Sequence, residues 1–265
     1  YPEAAQAERP ALDLLERVTA RQAELVFLST SRVYPYEALN ALPYEETSTR
    51  FEWTLHRGCT GVSSQGVAED FPLGGTRTLY GATKLCAELL INEYVALYNL
   101  RTVVNRCGVL AGPWQMGKVD QGVAVLWVAR HHFSGPLSYI GFDGNGKQVR
   151  DLLHVEDLFE LLQLQLGDVA AHSGQVYNVG GGREGSVSLR ELTDLCRQAT
   201  GKTISIGSES ETRPGDVRIY LTDTSKVRAA VAWKPRWTVE RIIENIAGWI
   251  RTHEQALRPI IGSEM

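Results

Sequence analysis

The feature that most limits what this chain can fold into is a pair of short apolar runs on either side of one helix-forming stretch. Glu24-Leu25-Val26-Phe27-Leu28 reads as a strand and ends in hydroxyl residues, Ser29-Thr30-Ser31. Arg101-Thr102-Val103-Val104-Asn105-Arg106 reads as a second buried strand of the parallel type. Tyr80 to Tyr98, between them, is a helix-forming run. Parallel strands need a crossover, usually a helix, so the pattern predicts an α/β chain built on a parallel sheet. In such sheets ligands bind at the carboxyl ends of the strands, which is where Thr30 falls.

The helix-forming run opens Tyr80-Gly81-Ala82-Thr83-Lys84. Residues four apart share one helix face, so Tyr80 and Lys84 are neighbours there. An ammonium beside a phenol stabilises the phenolate and makes a base usable near neutral pH. Such spacing alone also fits a half-buried tyrosine beside a solvated lysine. The hydroxyl-ended strand upstream is what raises it above that.

Composition narrows the function classes. The chain has 265 residues, 43% hydrophobic and 22% charged, with a net charge of −4. That balance gives no hint of nucleic-acid or anionic-membrane binding. No run approaches a membrane span, and the reading is of a cytoplasmic protein. Cys59, Cys86, Cys107 and Cys196 are scattered without a C-x-x-C pair, which suits reduced thiols. No clustered metal-ligand spacing is present, so no metal is expected.

Thr30, Tyr80 and Lys84 together resemble the hydroxyl–phenol–ammonium set of the short-chain dehydrogenase/reductase superfamily. The chain is similar to its extended branch, the NAD-dependent nucleotide-sugar epimerases and dehydratases, from about residue 24 to the last helix. Further segments carry the likeness. Cys107-Gly108-Val109-Leu110-Ala111-Gly112-Pro113 follows the second strand. Gly146-Lys147-Gln148-Val149-Arg150-Asp151-Leu152-Leu153-His154-Val155-Glu156-Asp157 is long and specific. Gln175 to Gly181 reads as a strand with a glycine turn, and Thr212-Arg213-Pro214-Gly215-Asp216 completes the set.

The resemblance implies roles. Tyr80 is the acid/base on a sugar hydroxyl, Lys84 holds the nicotinamide ribose, and Thr30 orients the sugar oxygen. Ser29, with Cys107 and Gly108 through their backbone atoms, joins Tyr80 and Lys84 around NAD. Ser31, Arg32, Gln121, Arg150 and Arg213 face the substrate, with the last two arginines on the diphosphate, and a structural role at a helix N-terminus fits Gln121 equally well. Guanidinium suits that task, although a surface salt bridge to Asp151 or Asp216 would explain either arginine. Relatives that dehydrate sugars carry Thr-Asp-Glu where this chain has Thr30-Ser31-Arg32, so epimerisation is expected. Many relatives carry Asn at the position of Val109. His154 and Asp157 are expected to be structural.

Within the family the segments look most like CDP-paratose (CDP-tyvelose) 2-epimerases. That likeness implies inversion at C2 of a CDP-linked dideoxyhexose, with NAD retained, in polysaccharide biosynthesis. A UDP-sugar 4-epimerase and a non-catalytic sugar-nucleotide-binding remnant are the alternatives. No G-x-G-x-x-G precedes Thr30. At about 30 residues per βαβ unit, roughly 80–90 residues of a dinucleotide-binding half are expected upstream, so the chain reads as N-terminally truncated or else as degenerate. The expected layout is a partial NAD-binding Rossmann domain, residues 1–110 and 152–182, and a smaller α/β nucleotide-sugar domain, residues 111–151 and 183–265. A helix is expected from Ala11, after Pro10. The stretch 35–79 reads as a long polar, glycine-rich loop over the sugar site. A homodimer is expected through the Tyr/Lys helix.

Overall fold

The computed structural model describes residues 2–55, 59–117 and 122–262. Helix α1 (Pro2–Ala20) leads into strand β1 (Leu25–Thr30). A single helical turn, Ser31–Val33, and helix α2 (Tyr36–Asn40) follow. Two hairpins come next, β2 (Tyr44–Glu46) with β3 (Phe51–Trp53), and β4 (Val62–Ser63) with β5 (Gly66–Val67). Helix α3 (Leu79–Tyr98) then delivers the chain to β6 (Thr102–Cys107) and β7 (Val109–Ala111). Helix α4 (Val123–Phe133), β8 (Leu137–Ile140), β9 (Val149–His154) and α5 (Val155–Gly167) continue. The last elements are β10 (Gln175–Val179), β11 (Ser186–Ser188), α6 (Leu189–Thr200), β12 (Ile206–Glu209), α7 (Ser225–Val231), α8 (Val239–Thr252) and α9 (Glu254–Leu257).

The site is carried by a parallel sheet of order β1-β6-β10. Leu25 pairs with Thr102 and Thr30 with Cys107, so the hydroxyl end of β1 lies level with the end of β6. Every residue of β6 is buried, because the sheet is covered on both faces. Val104 packs with Leu15 of α1 and Ile91 of α3, while Val103 and Cys107 pack with Leu158 and Leu161 of α5. Among the described residues β1 has a strand partner on one side only.

A second layer builds on β11-β9-β7, where β9 runs parallel to β7 and antiparallel to β11. Its core is formed by α4, α6 and α8, with Val125, Trp127, Leu192, Ile242 and Ile246 at the centre. α8 shows why that helix forms. Val239, Ile242, Ile243, Ile246 and Ile250 recur at helical spacing and are all buried, and Thr238 caps the first turn.

Two expectations are corrected. The first helix does not begin after Pro10 but runs through it. Proline's fixed φ is helical, but inside a helix it removes one hydrogen bond and crowds the carbonyl four residues back, so α1 runs through Pro10 at a local cost. The stretch 35–79 is not an unstructured loop. It folds into α2 and the two hairpins around a core of Val33, Tyr34, Leu39, Val67 and Phe71, joined by Val217 and Tyr220. Alternation too short to register as strands in sequence was enough once a distant segment covered it.

Candidate active site

The start of α3 decides where the reactive groups lie. Thr78 caps the helix, its hydroxyl accepting from the Gly81 N–H at 3.2 Å. A side chain at Gly81 would come within 2.0 Å of the Arg32 carbonyl oxygen, so glycine lets the first turn press against the turn that follows β1. Lys84 then reaches the strand end. Its Nζ donates to the Leu28 carbonyl at 2.9 Å and lies 4.9 Å from the Phe27 ring centroid. Burial lowers the Lys84 pKa, with Cys107 and Glu88 opposing. Tyr80 is 55% exposed, which leaves its phenol open to a ligand. Thr30 is buried, and its Oγ1 accepts from the Arg32 N–H at 3.2 Å. That bond leaves the hydroxyl proton free to point elsewhere.

Beside this strand end is a cavity to which Ser31, Arg32, Thr78, Val109, Arg150 and Tyr220 contribute, and no carboxylate lines it among the described residues. Arg32 donates to the Gly215 carbonyl at 2.8 Å, and Arg150 to the Val149 carbonyl at 2.7 Å. Burial and the neighbouring Arg32 both work against the charge on Arg150, while Asp216 and Asp151 favour it. Two guanidiniums with no lining carboxylate give the cavity chemistry that suits an anion. Asp151 does not pair with Arg150; it is fully buried and accepts from the Gly182 N–H at 2.9 Å.

Several of the other expected site residues bond or pack within the protein. Ser29, expected at the cofactor, is 4% exposed and turns its hydroxyl inward to Glu88. Strand alternation is the reason, since Ser29 and Thr30 point to opposite faces of β1. The Gly108 N–H is taken by the Val179 carbonyl at 2.8 Å. Burial pushes the Cys107 thiol up to about 12, and it packs inside. Arg213 is exposed and forms no ion pair with a described residue; the cavity is lined by Gly215 of the same segment instead. Gln121 lies outside the described residues. His154 caps α5, stacks on Trp237 at 4.0 Å and bonds Asn245 at 3.1 Å, while the Asp157 carboxylate accepts from the Arg236 and Trp237 N–H groups. Both are structural.

Sequence reasoning missed the group beneath the site. Glu88 and Arg106 form a buried ion pair, with Arg106 Nη2 2.8 Å from Glu88 Oε2. Two signals were present. Arg106 is a charge inside an otherwise apolar strand, and Glu88 follows Tyr80 and Lys84 at further steps of four.

Residues 9–180 match the model of the NAD dependent epimerase/dehydratase family. The CDP-paratose 2-epimerase of Salmonella typhi is 28% identical over 243 residues, 90% of this chain and 68% of that protein. A UDP-glucose 4-epimerase of Azospirillum brasilense is 26% identical over 275 residues, 92% of this chain and 78% of that protein. A dTDP-glucose 4,6-dehydratase of an Actinoplanes species is 32% identical over 190 residues, and the match spans only 55% of its length. The solved dTDP-glucose 4,6-dehydratase of Bacillus anthracis, in complex with NAD, superposes with a TM-score of 0.72 at 23% identity, covering 98% of this chain and 72% of that one. At that identity the likeness speaks for the fold, a Rossmann-type parallel sheet. With the family model covering the hydroxyl strand, the Tyr/Lys helix and the sheet between them, the chain belongs to the NAD dependent epimerase/dehydratase family.

Proposed function

We propose that this chain takes part in NAD-dependent epimerisation of a nucleotide-diphosphate sugar, with inversion at C2 of a CDP-linked dideoxyhexose (CDP-paratose to CDP-tyvelose) as the specific reaction. The observation that carries the reading is the turn after Thr30. Ser31 and Arg32 enter the same cavity as Arg150, so the strand end that holds the reacting hydroxyl adjoins an anion site. A sugar diphosphate has both halves of that description.

The residues fit the reacting end of a nicotinamide cofactor. Only one of the three Lys84 N–H donors has a partner among the described residues, which leaves two for ribose hydroxyls. When bound, NAD supplies the acceptor and later the donor of a hydride. Tyr80 takes the proton from the sugar hydroxyl and afterwards returns it. Lys84, cationic one turn along the same face, stabilises the phenolate in between. The Thr30 hydroxyl proton, free of the Arg32 bond, holds the sugar oxygen. Inversion requires the keto sugar to present its other face to the returning hydride. The chain has no carboxylate at residues 31 and 32 to drive loss of water, which separates it from the dehydratase relatives.

This reading assigns residues 1–110 and 152–182 to the cofactor side and 111–151 and 183–265 to the sugar nucleotide, with β9 running across the junction. It includes a homodimer formed through the outer faces of α1 and α3, and a cytoplasmic setting that suits four unpaired cysteines. The test is direct. Purified protein is denatured and its supernatant assayed for NAD, then native protein is given CDP-paratose and followed by NMR. Released NAD and C2 inversion support the reading. Conversion of a UDP-hexose at C4 instead would replace the substrate, and a folded protein that neither holds NAD nor converts either sugar would sink it.

A further inference from the structure

The ion pair beneath the site is joined to more than its two members. Glu88 is 2% exposed and Arg106 5%. Arg106 reaches Glu88 through Nε at 3.1 Å and Nη2 at 2.8 Å, both to Oε2. The other carboxylate oxygen, Oε1, accepts the Ser29 hydroxyl. On its far side, Arg106 Nη1 donates to Tyr34 Oη at 3.1 Å, and Tyr34 donates to Asn178 Oδ1 at 2.8 Å. One carboxylate on α3 is therefore held by the end of β1 and by β6 together.

A buried ion pair is a poor source of net stability, because desolvation offsets its attraction. Apolar side chains of the same volume would pack α3 on the sheet as well. They would not fix its rotation or its height, because dispersion contacts are not directional. Charge-assisted bonds to two strands fix both. Lys84 lies one turn before Glu88 and Tyr80 two turns before, on the same face.

We propose that Glu88, clamped by Arg106 and Ser29, is a positioning residue that sets the place and the charge of Lys84 at the end of β1. The inference rests on the proposed roles of Tyr80 and Lys84. The ionisable groups facing the Lys84 amine are Glu88 from its own helix and Cys107 from β6. The Cys107 thiol stays protonated through neutral pH, which leaves Glu88 as the anion that supports the lysine.

The first experiment needs neither substrate nor cofactor. Lysine-labelled protein is titrated by NMR, with Lys84→Met identifying the Lys84 signal. In Glu88→Gln the Lys84 midpoint falls below that of the unaltered protein, and Glu88→Asp returns most of it. A purely structural Glu88 would lower the melting temperature and leave that midpoint in place, which overturns the proposal. Should Glu88→Gln fail to fold, Ser29→Ala removes a single bond to the carboxylate and is read alongside Glu88→Asp. Ser29→Ala then lowers the Lys84 midpoint while Glu88→Asp stays near the unaltered value, and an unmoved Ser29→Ala signal overturns the proposal.

Turnover supplies the second readout. A displacement of about 1 Å at a reacting group costs roughly a hundredfold in rate. Glu88→Gln is expected to lose roughly tenfold to a hundredfold in kcat with KM within about twofold. Its alkaline loss of activity should begin at lower pH. If Lys84→Met keeps full turnover while the NMR coupling to Glu88 holds, the reading of Lys84 in the reaction fails and the coupling stands. If Lys84→Met is dead while Glu88→Gln matches the unaltered protein in both readouts, this inference alone fails.

Discussion

At the scale of single residues, the proposed acid/base Tyr80 is exposed, while the proposed partner Lys84 is half-buried. Tyr80→Phe removes the proposed proton acceptor and leaves the ring. General acid–base groups contribute typically 10²–10⁴-fold, so kcat in the CDP-sugar assay should fall by about that factor with the fold unchanged by circular dichroism. Glu69 offers a pH-dependent prediction away from the chemistry. Burial raises its pKa, while the Asn178 N–H, donating at 2.6 Å, works the other way. A carboxyl with a raised folded pKa binds protons that the unfolded chain has already lost. Stability therefore falls as pH rises from the ordinary glutamate range through the raised value. Glu69→Gln keeps an acceptor for Asn178 and cannot ionise. Its urea midpoint should gain on that of the unaltered protein across that window, and the gap should close at lower pH. The placement of Thr30 at the end of β1 and of Tyr80 and Lys84 in the first turns of α3 was legible in sequence, because apolar runs and a spacing of four mark those elements. Ser29 was misplaced because the choice between two faces of one strand depends on what covers each face, and Glu88 lies 59 positions from its hydroxyl partner.

At the scale of elements, α3 is the part whose placement everything else serves. Its cap and its close approach make separable predictions. Thr78→Ala loses the bond to the Gly81 N–H and should cost about 1 kcal/mol in urea unfolding. Gly81→Ala forces a methyl group against the Arg32 carbonyl and should cost about 1–3 kcal/mol as the turn after β1 gives way. That turn carries Ser31 and Arg32 into the cavity, so Gly81→Ala should also raise KM for the sugar nucleotide, and Thr78→Ala should raise it less. The helices and the central strands could be read from apolar periodicity. The small elements between residues 35 and 79 could not. Their hydrophobic cover comes from Val217 and Tyr220, near the other end of the chain, and local pattern holds no record of that.

At the scale of the whole molecule, the question is what the sheet and its helices leave uncovered. On the outer face of α3, Cys86, Leu89, Glu93 and Leu97 are exposed at helical spacing, with Leu89 at 57% and Leu97 at 69%. On the opposite side of the sheet, α5 exposes Phe159 at 60% and Leu166 at 59%. Scattered apolar groups on a surface are ordinary, but stripes of them along a helix mark places where another surface fits. The proposed dimer uses the first stripe. The weight-average mass in sedimentation equilibrium should therefore climb above the monomer's 29.3 kDa as concentration rises. Leu89→Glu with Leu97→Glu places two more carboxylates beside Glu93 and should return the mass to that of the monomer. Phe159→Asp should leave the assembly intact, since it alters the other face. The reverse result, with α5 controlling the mass and α3 indifferent, would move the contact to the side of the sheet away from Tyr80 and Lys84. Neither change touches a buried group, so unfolding midpoints within about 0.5 kcal/mol of the unaltered protein are expected for both and keep the mass readout free of misfolding.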